Sequence, residues 1–384
     1  MESNEDALTN DRDSIVEEEK IDINVVIMEK PFDPTKINIE TKTPSLDTLI
    51  KRIQRHHIQM DTTTYFQRKD DLWDIEQQSR LIESILIHFP LPAFFFDASD
   101  DDLWLVVDGL QRLSSIRNFC IEKDPKKRLK LTNLEFLTQL NGKTWDDLTG
   151  DLQRSIEEAQ VVIYKIMPGT PTDVKFNIFK RINTGGLVLE PQEIRHALFQ
   201  GQPATFIQRL ARNQSFIKAT DSRIPTKRML DRDFANRFLA FYLLGYENYQ
   251  PDLDTFMSKA MSEIYKMNED ELKKIEDDFT QSMNLIYDIF EKEAFRKAYY
   301  SYERLPPINK AIFDALSTQC ALLSKDHQDT LRRKAKYFKE IFYNKFKEDK
   351  SFLDSVTTAT GDKNRILIRH SIVKKLINNT IASS

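Results

Sequence analysis

The chain has 384 residues, of which 40% are hydrophobic and 30% are charged, so it is long and apolar enough for two domains with real cores. Its formal net charge is only −4, and no apolar run approaches the length of a membrane-spanning helix. Two distant cysteines, Cys120 and Cys320, exclude a disulfide scaffold. We therefore expect a cytoplasmic protein with no membrane partner.

Charge is concentrated at the start of the sequence. Residues 1–20 contain eight Asp or Glu residues against two Lys or Arg residues, a local net charge of −6 that leaves +2 for the rest of the chain. The acidic, aperiodic composition predicts a disordered tail over 1–20. The slightly basic remainder permits a nucleic-acid partner without requiring one.

Helices and strands alternate between residues 21 and 200. Apolar periodicity predicts helices at 45–55, 76–88, 173–181 and 191–199, and buried strands at 93–96, 103–107 and 161–167. From about residue 203 the pattern is mainly helical, with segments at 231–245, 254–267, 270–297, 306–323, 326–347 and 364–379. The sequence thus predicts an α+β fold class, with an α+β domain over 21–200 followed by an all-α helical domain over 201–384.

A polar turn follows the strand predicted at 103–107. It reads Asp108-Gly109-Leu110-Gln111-Arg112, and Leu113, Ile116 and Phe119 then recur at helical spacing. Backbone N–H groups at a strand–turn–helix junction attract anions, so this turn can hold a phosphate and a metal ion together. The alternative is structural: Asp108 caps the helix and Arg112 pairs with a neighbouring carboxylate.

Two other stretches carry polar groups of the same kind. Tyr65-Phe66-Gln67-Arg68 offers an aromatic ring for stacking and a guanidinium for a phosphate, or is a solvated loop with Trp73 anchored in the core. Asn183-Thr184-Gly185-Gly186 follows a helix and is either an ordinary left-handed helix end or a loop whose glycines let a ligand approach the backbone.

Several classes of site are excluded by missing motifs. The sequence has no P-loop, no Gly-x-Gly-x-x-Gly and no Cys or His cluster with zinc spacing. A basic segment at 326–346 interleaves Lys and Arg with aromatic residues. Such a segment either follows a nucleic-acid backbone or buries its aromatic face in the core and leaves the basic face in solvent.

The order of these motifs resembles that of the DUF262 family of bacterial proteins, over about residues 35–260. The resemblance rests on four stretches: Tyr65-Phe66-Gln67-Arg68 with Trp73, then 78–86 with Pro90-Leu91-Pro92, then 108–114, and last 176–187. The family includes the S-type module of GmrSD-like modification-dependent restriction systems. The resemblance implies a ParB/sulfiredoxin-like fold for the first domain and a role in restriction or phage defence.

The family's activity implies roles for single residues. Its Asp-Gly-Gln-Gln-Arg motif is present with Leu110 in place of the first Gln, and it implies a Mg²⁺-dependent NTPase. The catalytic candidates are then Asp108, Gln111 and Arg112, with Asp108 as metal ligand. The nucleotide-binding candidates are Tyr65, Arg68, Gly109, Asn183, Gly185 and Gly186.

The same resemblance implies partners. Hydrolysis of a nucleoside triphosphate would gate DNA cleavage by a separate nuclease, because the HNH-type domain often fused to this family is not recognised here. Two other functions stay open: a non-catalytic DNA-binding protein, which would bind DNA through its helical half, and an interaction subunit of a nuclease complex. The sequence does not specify the nucleotide, the DNA modification or the oligomeric state.

Overall fold

A computed structural model of the chain describes residues 15–17, 33–60, 73–182, 189–300 and 302–383. It contains a mixed sheet with helices in the first half and helices alone in the second, which confirms the predicted α+β class and its order. Two compact units are present, one over Phe32–Glu190 and one from Pro191 onward that includes residues 15–17. Each is described separately below.

The α+β unit is organised around a five-stranded sheet with the order β1-β5-β3-β4-β2. Strand β4 runs parallel to β2 and antiparallel to β3, while β5 runs parallel to β3 and antiparallel to β1. The carboxyl ends of β2 and β4 therefore lie at the same edge of the sheet as the amino end of β3. The strands are β1 (Ile39–Lys42), β2 (Ile58–Gln59), β3 (Phe94–Asp97), β4 (Trp104–Asp108) and β5 (Ile163–Ile166).

Helices of this unit pack apolar faces on the sheet. The first residues of one helix, after Asp74, form a capping box in which the Asp74 side chain accepts from Gln77 N–H while the Gln77 side chain accepts from Asp74 N–H. Leu81, Ile82 and Ile85 of that helix are buried in the core. The helices are α1 (Leu46–Gln54), α2 (Ile75–Leu86), α3 (Leu110–Cys120), α4 (Gly150–Glu158) and α5 (Thr172–Ile182), with 3-10 turns at Pro34–Lys36, Thr138–Leu140 and Trp145–Asp147.

A buried carboxylate on α2 fixes the segment that follows α3. Glu83 is 3% exposed, and its two oxygens accept from the backbone N–H groups of Glu135, Phe136 and Leu137 at 2.7–3.0 Å. Burial alone would raise the pKa of Glu83, but these three donors lower it below its ordinary value.

In the part that the structure describes, the second unit consists of helices joined by turns and loops, with isolated β-bridges at Ile308. None of the described helices is both long and apolar enough to cross a membrane. The helices are α6 (Pro191–Leu198), α7 (Gln202–Ala211), α8 (Gln214–Ala219), α9 (Leu230–Leu244), α10 (Leu253–Ile264), α11 (Glu269–Phe290), α12 (Lys310–Ala321), α13 (Lys325–Arg333), α14 (Ala335–Glu348), α15 (Lys350–Thr357) and α16 (Lys363–Ala382). Three 3-10 turns, at Lys227–Met229, Tyr246–Asn248 and Glu291–Glu293, connect some of them.

Two helices end earlier than the sequence predicts. The helix expected over 270–297 stops at Phe290, because Glu291 adopts a left-handed φ of 51° and a 3-10 turn follows. The helix expected over 326–347 is two helices, separated at Lys334, where ψ is 20° instead of the helical value.

The described residues 15–17, within the stretch expected to be disordered, pair with the helical unit. Val16 forms a parallel bridge with Ile308, and the Glu17 carboxylate accepts from Lys297 Nζ at 2.5 Å and from Asn309 Nδ2 at 2.9 Å. The remainder of the stretch lies outside the described residues.

The division between the units falls at residues 190 and 191, whereas the sequence predicted a boundary after residue 200. Helix α6 accounts for the difference. Its Arg195 is 1% exposed and donates to Asp254 at 2.9 Å and to Asp233 at 3.2 Å, both of which belong to the helical unit.

A group of three buried charges lies at the centre of the helical unit. Asp314 is fully buried and accepts two hydrogen bonds from Arg237 at 2.8 Å and one from Arg369 at 3.1 Å. Arg369 also donates to the Thr360 carbonyl at 2.6 Å. These bonds connect helices α9, α12 and α16. Without Asp314, the two arginines would be buried cations that lack a counter-charge.

We expect Asp314→Asn to lower the free energy of unfolding by about 3–5 kcal/mol, because both arginines then lose their counter-charge in the interior. Urea denaturation measures the loss. Asp288→Asn is the matched control, since that carboxylate pairs with Arg332 while 41% exposed, and it should cost less than about 1 kcal/mol. Equal losses in the two variants would contradict a special role for the buried group.

Glu83→Gln should destabilise the protein by about 1–3 kcal/mol at neutral pH, because an amide nitrogen then faces a backbone donor. The lowered pKa of Glu83 makes this difference pH-dependent: it is complete above about 4.5, the ordinary value, and disappears as the pH falls through the lower pKa of the folded state. Urea denaturation of both proteins across this pH range checks it. Glu135→Gln, which changes a carboxylate that is 52% exposed, is the control and should cost less than about 1 kcal/mol.

Candidate functional site

Asp108 is the last residue of β4 and lies opposite Phe95 of the antiparallel β3. Its side chain is 35% exposed, although the neighbours Val106 and Val107 are buried in the core. A carboxylate therefore emerges at the sheet edge where β4 ends and α3 begins, as the sequence predicted.

Gly109 is the N-cap of α3, with φ of 98° and no side chain that could cap the helix. A Cβ atom built on it would lie 2.5 Å from Phe94 Cδ1 and 3.2 Å from an Arg112 terminal nitrogen. Both the left-handed backbone and the close neighbours require glycine here. The alternative in which Asp108 caps the helix does not hold, because Gly109 takes that position.

Arg112 is 7% exposed and binds the chain around it. One terminal nitrogen donates to the Pro92 carbonyl, and the other donates to the Ala93 carbonyl at 3.1 Å and to Asp108 Oδ2 at 2.9 Å. The guanidinium carbon lies 4.5 Å from the centre of the Phe94 ring. Burial lowers the pKa of Arg112, and the Asp108 carboxylate acts in the opposite direction. The bond to Asp108 agrees with the alternative in which Arg112 pairs with a neighbouring carboxylate, but it is only one of the contacts that Arg112 makes.

Gln111 connects the turn to a distant segment. Its Oε1 accepts from the backbone N–H of Trp73 at 3.1 Å. Strand β2 ends at Gln59 and runs parallel to β4, so the chain leaves the sheet at the same edge as Asp108. Gln59 itself lies opposite Leu105, and Trp73 is the residue in contact with the turn.

Five of the nucleotide-binding candidates lie outside the described residues: Tyr65, Arg68, Asn183, Gly185 and Gly186. The helix that precedes the glycine loop, α5, starts at the opposite edge of the sheet. There Lys175 Nζ donates to both Asp97 oxygens, at 2.9 and 3.2 Å, and Asp97 is the last residue of β3.

The donor set at the turn fits Mg²⁺ only as part of a nucleotide complex. Asp108 supplies one carboxylate, of which Oδ2 already accepts from Arg112. Among the described residues no three His, Cys, Asp or Glu side chains are grouped to hold a metal ion. Mg²⁺ is commonly held by one or two carboxylates together with water and substrate phosphates. A single carboxylate therefore suffices if triphosphate oxygens complete the coordination.

A cavity of about 640 Å³ adjoins α3 on the side of β2. Ser114 and Arg117 of α3 and Ile121 just after it line this cavity, together with residues around the end of α1 and Met60 after β2. This volume lies within the range of small-molecule sites. Leu103, just before β4, also lines it, so the cavity extends toward the end of β4 opposite to Asp108.

The sequence missed the partners of Arg112. Pro92 and Ala93 act through backbone carbonyls and Phe94 through its ring face, so no polar side chain marked them. The one sequence feature beside these groups is Pro90-Leu91-Pro92, which contributes to the family resemblance but does not indicate partners of Arg112.

The basic segment 326–346 buries its aromatic face. Phe338 and Phe342 of α14 are buried in the core of the helical unit. Several basic side chains are paired: Arg332 donates to Asp288 and to Asp329 at 2.8 Å, and Lys339 lies 2.8 Å from Glu293. The described contacts therefore agree with the alternative in which the aromatic face packs in the core and the basic face is left in solvent.

Comparison with known proteins gave one family. Residues 46–200, less than half of the chain, match the family model described as "GmrSD restriction endonuclease, N-terminal domain". The match supports a GmrSD-type restriction system family, and it spans β4, the Asp108–Arg112 turn and the glycine loop. No curated protein and no solved structure matched the chain.

Gly109→Ala should lower the free energy of unfolding by about 2–5 kcal/mol, since backbone strain at positive φ adds to a clash with Phe94. Gly142→Ala is the matched control: its φ is 81°, but nothing lies within 4 Å of its Cβ position, so only the strain, about 1–2 kcal/mol, remains. Chemical denaturation of both variants separates the two contributions. A Gly109 variant no less stable than the control would exclude the close approach.

Proposed function

We propose that the α+β unit binds and hydrolyses a nucleoside triphosphate at the Asp108–Arg112 turn, as part of a restriction or phage-defence system. Two findings support this. The turn places a part-exposed carboxylate beside a helix start that lacks a capping side chain, and the region containing it matches the N-terminal domain of a restriction endonuclease family.

The pairing of Asp108 with the buried Arg112 is the observation that carries the proposal. Arg112 is held by two backbone carbonyls, so its bond to Oδ2 fixes the Asp108 carboxylate and leaves the remaining oxygen for another ligand. Phosphoryl transfer depends on such fixed positions and charges more than on covalent chemistry of the protein. We therefore propose that Arg112 is a positioning residue, which holds the Asp108 carboxylate in place.

The other residues would take roles according to their place. Asp108 would hold Mg²⁺ with the nucleotide phosphates, and the metal would neutralise charge on the transferred group. The backbone N–H groups that follow Gly109 would bind a phosphate. Gln111 would hold the backbone of Trp73 at the site. Arg68 and Tyr65 would reach the nucleotide from segment 61–72, and the Asn183, Gly185 and Gly186 loop would close the other side.

We further propose that hydrolysis controls DNA cleavage by a separate nuclease, and that the unit has the ParB/sulfiredoxin-like fold that the DUF262 resemblance implies. The description of the matching family as a restriction endonuclease supports the connection with DNA cleavage.

Asp108→Asn should reduce Mg²⁺-dependent phosphate release about 10²-fold or more, because the amide keeps an acceptor for Arg112 but loses the charge that binds the metal. Phosphate release from ATP, GTP, CTP and UTP measures it, with and without DNA. Asp102→Asn, an exposed aspartate in the turn before β4, is the matched control and should retain the full rate.

Urea denaturation of the same proteins shows whether Asp108→Asn remains folded. Hydrolysis that continues unchanged in a folded Asp108→Asn protein would refute the assignment of the site. Absence of both turnover and binding with all four nucleotides would refute the function itself.

A further inference from the structure

Two aromatic side chains lie on the sheet next to the strand that carries Asp108. Phe95 of β3 is the ladder partner of Asp108 on one side and of Tyr164, in β5, on the other. Tyr164 is in turn the partner of Thr41 in β1. These residues form one row across four adjacent strands. Because neighbouring strands are about 4.8 Å apart, Phe95 and Tyr164 both lie within about 10 Å of Asp108.

An extra residue in β4 produces this row. Phe96 pairs with Val106, but the register then shifts by one residue. Asp108 therefore lies opposite Phe95, where regular pairing would have placed Val107. Bulges of this kind are frequent beside active sites, where they redirect a side chain. The shift brings the carboxylate into the same row as the two aromatic rings.

The rings of Phe95 and Tyr164 stack on each other. Their centres are 4.7 Å apart and their planes are inclined by 21°. This distance matches the spacing between strands, so the rings stand side by side on the sheet with their faces directed along the row. Both side chains are partly exposed, whereas Phe94 and Phe96, on the opposite face of the sheet, are fully buried. The stacked pair is thus accessible to a ligand.

The outer face of the Tyr164 ring is directed to β1. Its neighbour there is Thr41, an exposed residue whose side chain is too small to cover an aromatic ring. Asp97, which follows on the same face of the sheet as Phe95, is paired with Lys175 at 2.9 Å. The surface around the ring pair is therefore flat, aromatic and locally neutral, which suits a flat, uncharged ring.

We propose that the base of the nucleotide stacks on the Tyr164 ring, with Phe95 behind it and the phosphates at the Asp108–Arg112 turn. This inference rests on the proposed nucleotide function and extends it to the part of the ligand that the turn does not bind. Bases stack on aromatic side chains, and every base has a π-face for such a contact. The ring pair thus contributes affinity for the base without selecting among the four.

Tyr164→Leu tests the stacking. Binding is measured by calorimetry on the full chain with Mg²⁺. The probes are the non-hydrolysable β,γ-imido analogues of ATP, GTP, CTP and UTP, and inorganic tripolyphosphate, which has no base. We expect about tenfold weaker binding of each analogue that the unmodified chain binds, because the stacked ring is lost. Tripolyphosphate should bind as it does to the unmodified chain.

Two controls accompany this variant. Tyr164→Phe keeps the ring and should bind every probe as the unmodified chain does. Tyr337→Leu is the same change at a position on α14 that is 49% exposed, and it should alter the binding of no probe.

Thr41→Trp tests the same contact and remains informative if Tyr164→Leu does not fold. Its indole ring would occupy the outer face of the Tyr164 ring and compete with the base. The position is exposed and lies on an edge strand, so the larger side chain can be accommodated. The analogues should bind several-fold more weakly and tripolyphosphate should not change. Thr41→Ser should bind every probe as the unmodified chain does.

The inference is overturned if Tyr164→Leu or Thr41→Trp, in folded form, binds the analogues as tightly as its control. It is also overturned if tripolyphosphate loses affinity by the same factor as the analogues, since the rings would then act on the whole site. Absence of binding of every probe to the unmodified chain refutes the proposed function, and the inference with it. Tripolyphosphate binding that persists in both variants, together with weaker binding of the analogues, supports both.

Discussion

One buried guanidinium holds together the region where the candidate site forms. Arg112 donates to carbonyls that precede β3 and to the carboxylate that ends β4, while its own helix starts between them. A buried guanidinium is tolerated only when its donors are satisfied. The start of β3, the end of β4 and the first turn of α3 must therefore adopt one arrangement, and Gly109 must allow Phe94 to approach. Asp108 is directed outward as a consequence of this arrangement.

The sequence predicted those features of this region that side-chain patterns mark, and it did not predict those that backbone groups form. The strand, turn and helix at 104–120 were predictable, because a compact apolar run, an Asp-Gly turn and threefold spacing follow one another within a few residues. The partners of Arg112 were not, because backbone carbonyls carry no residue signature and their position depends on the register of β3 against β4. Strand β2 has only two residues, and β1 exposes charged side chains, so neither shows the alternation that identifies a strand.

In the helical unit the sequence predicted the presence of helices better than their ends. The stretch after Phe290 contains neither Gly nor Pro, yet the chain turns at Glu291 with a positive φ. Tertiary packing, not local preference, decides such a position.

The pairing of residues 15–17 with the helical unit sets an order for events on the ribosome. Glu17 and its partner Lys297 are separated by 280 residues, which a ribosome needs roughly 15–60 s to translate. The whole α+β unit emerges within that interval. A nascent chain can thus complete the sheet and its helices while the N-terminal segment still lacks its partners. In sequence, the α+β unit is an insertion within the helical unit, and it can fold before that unit does.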